Sequence, residues 1–128
     1  MTKLLVIEDD PAILRGLRDN LEFEGYEVST TTDGDSGYRL QNSCKPDLIV
    51  LDLSMPRMNG LEATRIIRSE IPECKVIIVT QHDASVAREQ ARSVDAKALV
   101  TKADLSHYLL PTIESIVRGA ESVAHTSK

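Results

Sequence analysis

The residues able to do chemistry in this chain stand at the ends of short aliphatic runs. Leu4–Ile7 leads into Glu8, Asp9 and Asp10, Leu48–Leu51 into Asp52, and Val76–Val79 into Thr80. Ala98–Val100 leads through Thr101 to Lys102. One such ending is ordinary, since every strand must stop; four in one chain call for a common reason. Carboxylates ~4 Å apart repel by about 4 kcal/mol per pair at an effective dielectric near 20. A cluster of them raises its own pKa values unless a cation relieves it. A small set of hard oxygen ligands suits Mg²⁺, or Mn²⁺ in its place; Mg²⁺ keeps several waters and commonly bridges to phosphate. Thr80 offers a hydroxyl donor, and Lys102 a point charge for an anionic oxygen. Together these groups describe a phosphoryl-transfer site, where catalysis is mostly positioning and charge neutralisation. With no Ser or Cys obviously at its centre, the nucleophile is expected among the acids.

The aliphatic runs are continuous rather than alternating, which predicts strands covered on both faces, as in a parallel sheet. A weaker β-branched run, Val28–Thr31, sits between the first two. Helical stripes separate them. Ile13, Leu14, Leu17 and Leu21 form one, ended by Gly25 as a C-cap. Leu61, Thr64 and Ile67 mark another, ended by Pro72, and Leu105, Leu109, Thr112, Ile113, Ile116 and Ala120 the clearest. Asp35–Asn42 and Ala84–Val94 are weaker, the latter resting on Ala87, Ala91 and Val94. Strand and helix thus alternate five times, and right-handed crossovers make a three-layer, doubly wound α/β sandwich the simplest solution. Ligands in such folds sit beyond the carboxyl ends of the strands, at the switch in strand order.

Composition agrees. The 128 residues form one domain, 41% hydrophobic and 27% charged, as in soluble globular proteins. Only 3% are aromatic, so the core is aliphatic. A net charge of -5 argues against a large phosphate-binding surface. Cys44 and Cys74 are too far apart for a CxxC pair and read as reduced thiols. No apolar run approaches the ~18 residues of a membrane span, and Leu4–Ile7 is too short for a signal-peptide core. A cytoplasmic location is expected. Gly119–Lys128 reads as a frayed end or the start of a linker.

The segments VIEDD, LIVLDLSMPRMNGLEATR, IIVT and LVTK, in that order and spacing, resemble the receiver domain of bacterial two-component response regulators over roughly residues 3–120. The resemblance implies a flavodoxin-like (βα)5 fold with strand order 2-1-3-4-5, a receiver domain over 1–120 and a polar tail over 121–128. It implies that Asp52 accepts a phosphoryl group from the phosphohistidine of a sensor kinase or phosphotransfer protein. Asp9, Asp52 and the backbone carbonyl of Ser54 would hold Mg²⁺, with Glu8 acting through water. Thr80 and Lys102 would contact the phosphoryl oxygens. Phosphorylation would shift an inactive-to-active equilibrium at the face of the last two helices and the fifth strand, where an output partner docks. A phosphorylation-dependent homodimer is compatible with it. Such a chain is a signalling phosphoacceptor rather than an enzyme, assisting only its own phosphorylation and dephosphorylation. MNGLEATR and the Lys-Ala-Asp-Leu continuation are reminiscent of regulators with a C-terminal helix-turn-helix domain; this chain shows none and is expected neither to bind nucleic acid nor to contact a membrane.

Other readings fit less well. Asp10 before Pro11 reads as a helix N-cap, not a ligand. Asn59-Gly60 reads as a tight turn into a helix. His82 reads as solvated, and His107 and His125 add nothing. GDSG at Gly34–Gly37 resembles a serine-protease segment, but Tyr38-Arg39 follows instead of Gly-Pro, so no catalytic triad is expected. A Mg²⁺-dependent aspartyl phosphatase of the haloacid dehalogenase type wants DxD, where this chain has Asp52-Leu53-Ser54. A flavodoxin would set acids against the flavin phosphate. A phosphorylation-independent binding module would have no need of Asp9, Asp52, Thr80 and Lys102.

Three positions depart from the receiver pattern. Gln81 replaces a small residue after Thr80, Leu99 replaces the aromatic switch residue, and Ala103 replaces the proline after Lys102, which makes a cis bond there unfavourable. The phosphorylation residues are all kept, so the changes bear on access and coupling. Gln81→Ala is expected to speed phosphorylation by a small acyl phosphate, followed as phosphoprotein formed against time; identical rates would refute a role for Gln81 in access.

Overall fold

The computed structural model describes residues 2–32, 45–53, 60–81 and 84–119. Each aliphatic run forms a strand: β1 (Lys3–Ile7), β2 (Glu27–Thr31), β3 (Leu48–Asp52), β4 (Lys75–Thr80) and β5 (Ala98–Thr101). The stripes form helices α1 (Pro11–Phe23), α2 (Gly60–Glu70), α3 (Ala84–Ser93) and α4 (Leu105–Val117). The segment Asp35–Asn42, Asn59, Ala120 and the tail beyond it lie outside the described residues. Gly60, expected in a turn, is the first residue of α2.

All five strands are parallel, in the order β2-β1-β3-β4-β5. The order expected from the receiver resemblance is therefore the order found. The chain steps from β1 outward to β2 and then back across β1 to β3, so the switch in direction falls between β1 and β3. The carboxyl ends of those two strands carry Glu8-Asp9 and Asp52.

Burial on both faces explains the unbroken aliphatic runs. Leu4, Val6, Leu48, Val50, Ile77, Val79, Ala98 and Val100 pack with Leu21 of α1 and Leu109, Ile113 and Ile116 of α4. Leu5, Ile7, Ile49, Leu51, Val76 and Ile78 pack on the other face with Ile67 of α2 and Ala91 of α3. Alternate residues of one strand thus enter two different cores. Pro111 lies inside α4 without ending it; it is exposed, while Leu109, Thr112, Ile113 and Ile116 bury the opposite side of the helix.

Helix boundaries follow local chemistry. Asp10 caps α1, its Oδ1 accepting from the N–H groups of Ala12 at 2.9 Å and Ile13 at 3.3 Å, with Pro11 at the first helical position. Gly25 closes the other end at φ 100°, a left-handed conformation that favours glycine. Between β5 and α4 the residues Lys102–Asp104 form a single 3₁₀ turn, which the aliphatic pattern does not foreshadow. Asp10→Ala is expected to cost about 1 kcal/mol of stability, read from the urea midpoint at constant slope, while Mg²⁺ binding is retained; loss of Mg²⁺ binding would return Asp10 to the acidic site.

Candidate functional site

Backbone pairing of β1 extends one residue past the strand, because the Glu8 N–H donates to the Thr31 carbonyl at 3.1 Å. Glu8 therefore continues the alternation of Leu4 and Val6. Asp52 follows Leu48 and Val50 in the same way, and Lys102 stands two residues beyond Val100. Glu8 and Asp52 extend the rows of the core shared by α1 and α4, so side-chain periodicity directs them to one side of the sheet edge, and Lys102 reaches the same side from the turn after β5.

There they meet. The Lys102 Nζ lies 3.0 Å from Glu8 Oε2 and 3.2 Å from Asp52 Oδ2. Glu8 Oε2 also accepts the Asp10 N–H at 3.1 Å. Glu8 and Asp52 are only 2% and 1% exposed, so their charges have lost most of their water. Glu8, Asp9 and Asp52 each present a carboxylate oxygen within 4.8 Å of the others. Asp9 is the most open of the three.

The electrostatics follow from this burial. Desolvation pushes the Glu8 carboxyl above its ordinary range; the bonds from Lys102 and the Asp10 N–H restrain the rise, and the Asp52 charge adds to it. For Lys102, burial works against the ammonium, but the bonds and charges of Glu8 and Asp52 outweigh it, and its pKa lies above the ordinary value. Lys102 is thus a fixed cation at neutral pH. Its contribution to stability is complete below 10.5 and is lost as pH rises through its elevated folded value. Glu8 moves stability in the same direction over a lower window: its ionisation costs the folded chain stability as pH rises from 4.5 through its own elevated value.

Three carboxylates set against one ammonium, all hard oxygen donors, fit a small divalent cation. Asp9 has the access such an ion needs, whereas one oxygen of Glu8 already serves Lys102 and the Asp10 N–H.

Thr80 ends β4 and is 1% exposed. Its place in the alternation is with Val76 and Ile78, on the α2–α3 side, so it approaches the edge from the other core. Gln81 follows it and is exposed. Leu99 is half-buried against the α2–α3 core, and Ala103 is exposed within the 3₁₀ turn. Ser54 and His82 lie outside the described residues. The sequence reading passes over two residues beside Lys102: the Thr101 hydroxyl donates to Asp104 Oδ2 at 3.0 Å. Their spacing, a hydroxyl three residues before an acid that precedes an apolar helix, is a capping-box pattern and was available in the sequence.

Removing Lys102 leaves two buried carboxylates without their cation. Lys102→Met is expected to lose about 3–5 kcal/mol in the presence of a chelator at pH 7, measured by urea unfolding. The loss should shrink as pH falls through the elevated range in which Glu8 takes up its proton; an equal loss at pH 5 and pH 7 would contradict an electrostatic origin.

Residues 4–112 match the family described as response regulator receiver domain. The response regulator MprA of Mycobacterium avium (strain 104) is 33% identical over 130 aligned positions, covering 97% of this chain and 57% of that protein. The chain thus spans little more than half the length of such curated relatives. A crystal structure of a LuxR-family two-component response regulator from Aurantimonas sp. SI85-9A1 is 32% identical, with a TM-score of 0.85 over 94% of this chain and 89% of that one. A CheY-like receiver domain protein from Methanospirillum hungatei JF-1 is 27% identical, with a TM-score of 0.87 over 93% of this chain and 95% of that one.

Proposed function

This chain belongs to the response regulator receiver domain family of two-component systems, and from that premise we propose that it is a phosphoacceptor whose acceptor residue is Asp52. The observation that carries the reading is the Lys102 ammonium bridging Glu8 and Asp52 where the strand order reverses, with Asp9 beside them.

In this reading an Asp52 carboxylate oxygen forms the new P–O bond as the P–N bond of a phosphohistidine breaks and the imidazole leaves. The donor is a sensor histidine kinase or a histidine phosphotransfer protein. Lys102 and Thr80 then hold the phosphoryl oxygens. Asp9, Asp52 and the Ser54 carbonyl would hold Mg²⁺ (or Mn²⁺), with Glu8 acting through water. The bound cation supplies charge neutralisation at the transferring group. Within this chain, Glu8 keeps Lys102 aimed at Asp52, and the closed aliphatic cores beneath keep water from the buried side of the carboxylate.

Phosphorylation replaces a single negative charge with a group near charge -2. The added charge competes with Glu8 for Lys102 and draws on Thr80, so the ends of β4 and β5 readjust together. The proposed output face is α3, β5 and α4, for a partner or a second copy of the chain. Residues 1–120 act as the receiver and 121–128 as a tail. Among the described residues no helix is long and apolar enough to cross a membrane, and the proposed site of action is the cytoplasm.

Intact mass after incubation with a small acyl phosphate and Mg²⁺ tests the reading. The expected result is a gain of one phosphoryl group that Asp52→Asn and chelation both abolish. No gain in the native chain would favour a phosphorylation-independent binding module. Turnover of a panel of phosphomonoesters would favour the aspartyl phosphatase.

A further inference from the structure

Lys102 reaches the site from a three-residue turn, and the position of its ammonium depends on how that turn is held. The turn begins where β5 ends and finishes where α4 starts. Its central residue, Ala103, is exposed and has no ring to fix its backbone. Two other links close it. The Leu105 N–H donates to the Lys102 carbonyl, and the Thr101 hydroxyl donates to Asp104 Oδ2 at 3.0 Å. Thr101 and Asp104 thus bracket Lys102 and Ala103 from the two sides.

The use of Asp104 in this bond is unusual for its place. It stands at the N-cap of α4, where a carboxylate ordinarily accepts from the N–H groups of the first turn. No such side-chain bond forms. The carboxylate is turned back toward the strand instead. Thr101, for its part, ends β5 and is the register partner of Thr80, so the bond anchors the turn to the strand end beside the one that carries the other proposed phosphoryl contact. A lysine stem has four torsions to absorb error, yet its Nζ must meet two buried oxygens at 3.0 and 3.2 Å. A small displacement of the reacting groups is costly in rate.

We propose that Thr101 and Asp104 are a positioning pair for Lys102: their hydrogen bond locks the turn that aims the ammonium at Asp52 in phosphoryl transfer. The role in transfer rests on the phosphoacceptor reading; the effect on Lys102 itself does not, and the two are read separately.

The variants are Thr101→Val, Asp104→Ala, both changes together, and Thr101→Ser, which keeps the hydroxyl. The first readout is labelling of Lys102 by an amine-directed acylating reagent, located by peptide mass spectrometry in the metal-free full chain. Labelling is expected to quicken in Thr101→Val and Asp104→Ala, to be no faster in the double variant than in either single one, and to return to the native rate in Thr101→Ser. Native labelling rates in every variant, or effects of the two single changes that multiply in the double, overturn the pairing. The second readout is phosphorylation by an acyl phosphate with Mg²⁺, expected to slow about fivefold at saturating donor in the single variants, the change one ordinary hydrogen bond produces, and to recover in Thr101→Ser. An unchanged phosphorylation rate alongside faster labelling overturns the role in transfer. If the native chain takes up no phosphoryl group, the phosphoacceptor reading and the role in transfer fall together, while labelling still decides the pairing.

Discussion

The rest of the structure is arranged around the cost of buried charge. Glu8 and Asp52 are almost wholly removed from water, and burying a carboxylate is tolerable only when a cation and hydrogen bonds replace its hydration. Lys102 supplies the cation, and the Asp10 N–H one of the bonds. Even so, three carboxylates face one ammonium. The site is left short of positive charge by construction, which suits it to receive a cation. An ammonium has three N–H donors; one bonds Glu8, and Asp52 lies within ion-pair distance of the same ammonium. Lys102 is therefore shared between the two buried acids.

The sheet turns that requirement into geometry. A period of two along parallel strands places Glu8 and Asp52 in rows that belong to the α1–α4 core, and Thr80 in a row that belongs to the α2–α3 core; Lys102 joins the first side from the turn after β5. The two cores are separate layers with separate helices. The acidic centre is consequently approached from both layers at once, by the lysine from one and by the threonine from the other. A charge change at the edge can thereby be felt in both helical layers.

Much of this was legible in the sequence. Runs such as Leu48–Leu51 name buried parallel strands because only two-sided burial makes every residue of a strand apolar. The acids after them mark the ligand edge by the same logic. Asp10 separated from its neighbours because Pro11 identifies a helix start, and the cap bonds to Ala12 and Ile13 match that reading. The strand order was inherited from the receiver resemblance, since periodicity fixes elements but not their neighbours. The Glu8–Lys102 ion pair was not foreseen, because pairing across the sheet depends on tertiary approach that no local pattern encodes. Thr101 and Asp104 were missed for a different reason: their spacing is a familiar capping signal, but it lies inside a segment dominated by its lysine.

The bond between Lys102 and Glu8 spans 94 positions of the chain. Synthesis runs from the amino terminus, so both buried acids emerge before the lysine that neutralises them. A sheet of β1, β3 and β4 alone would set those acids at its edge without Lys102, and the ammonium just beyond β5 would favour docking of that strand in addition to its apolar residues. Completion of the fold and completion of the charge balance at the sheet edge thus become the same event.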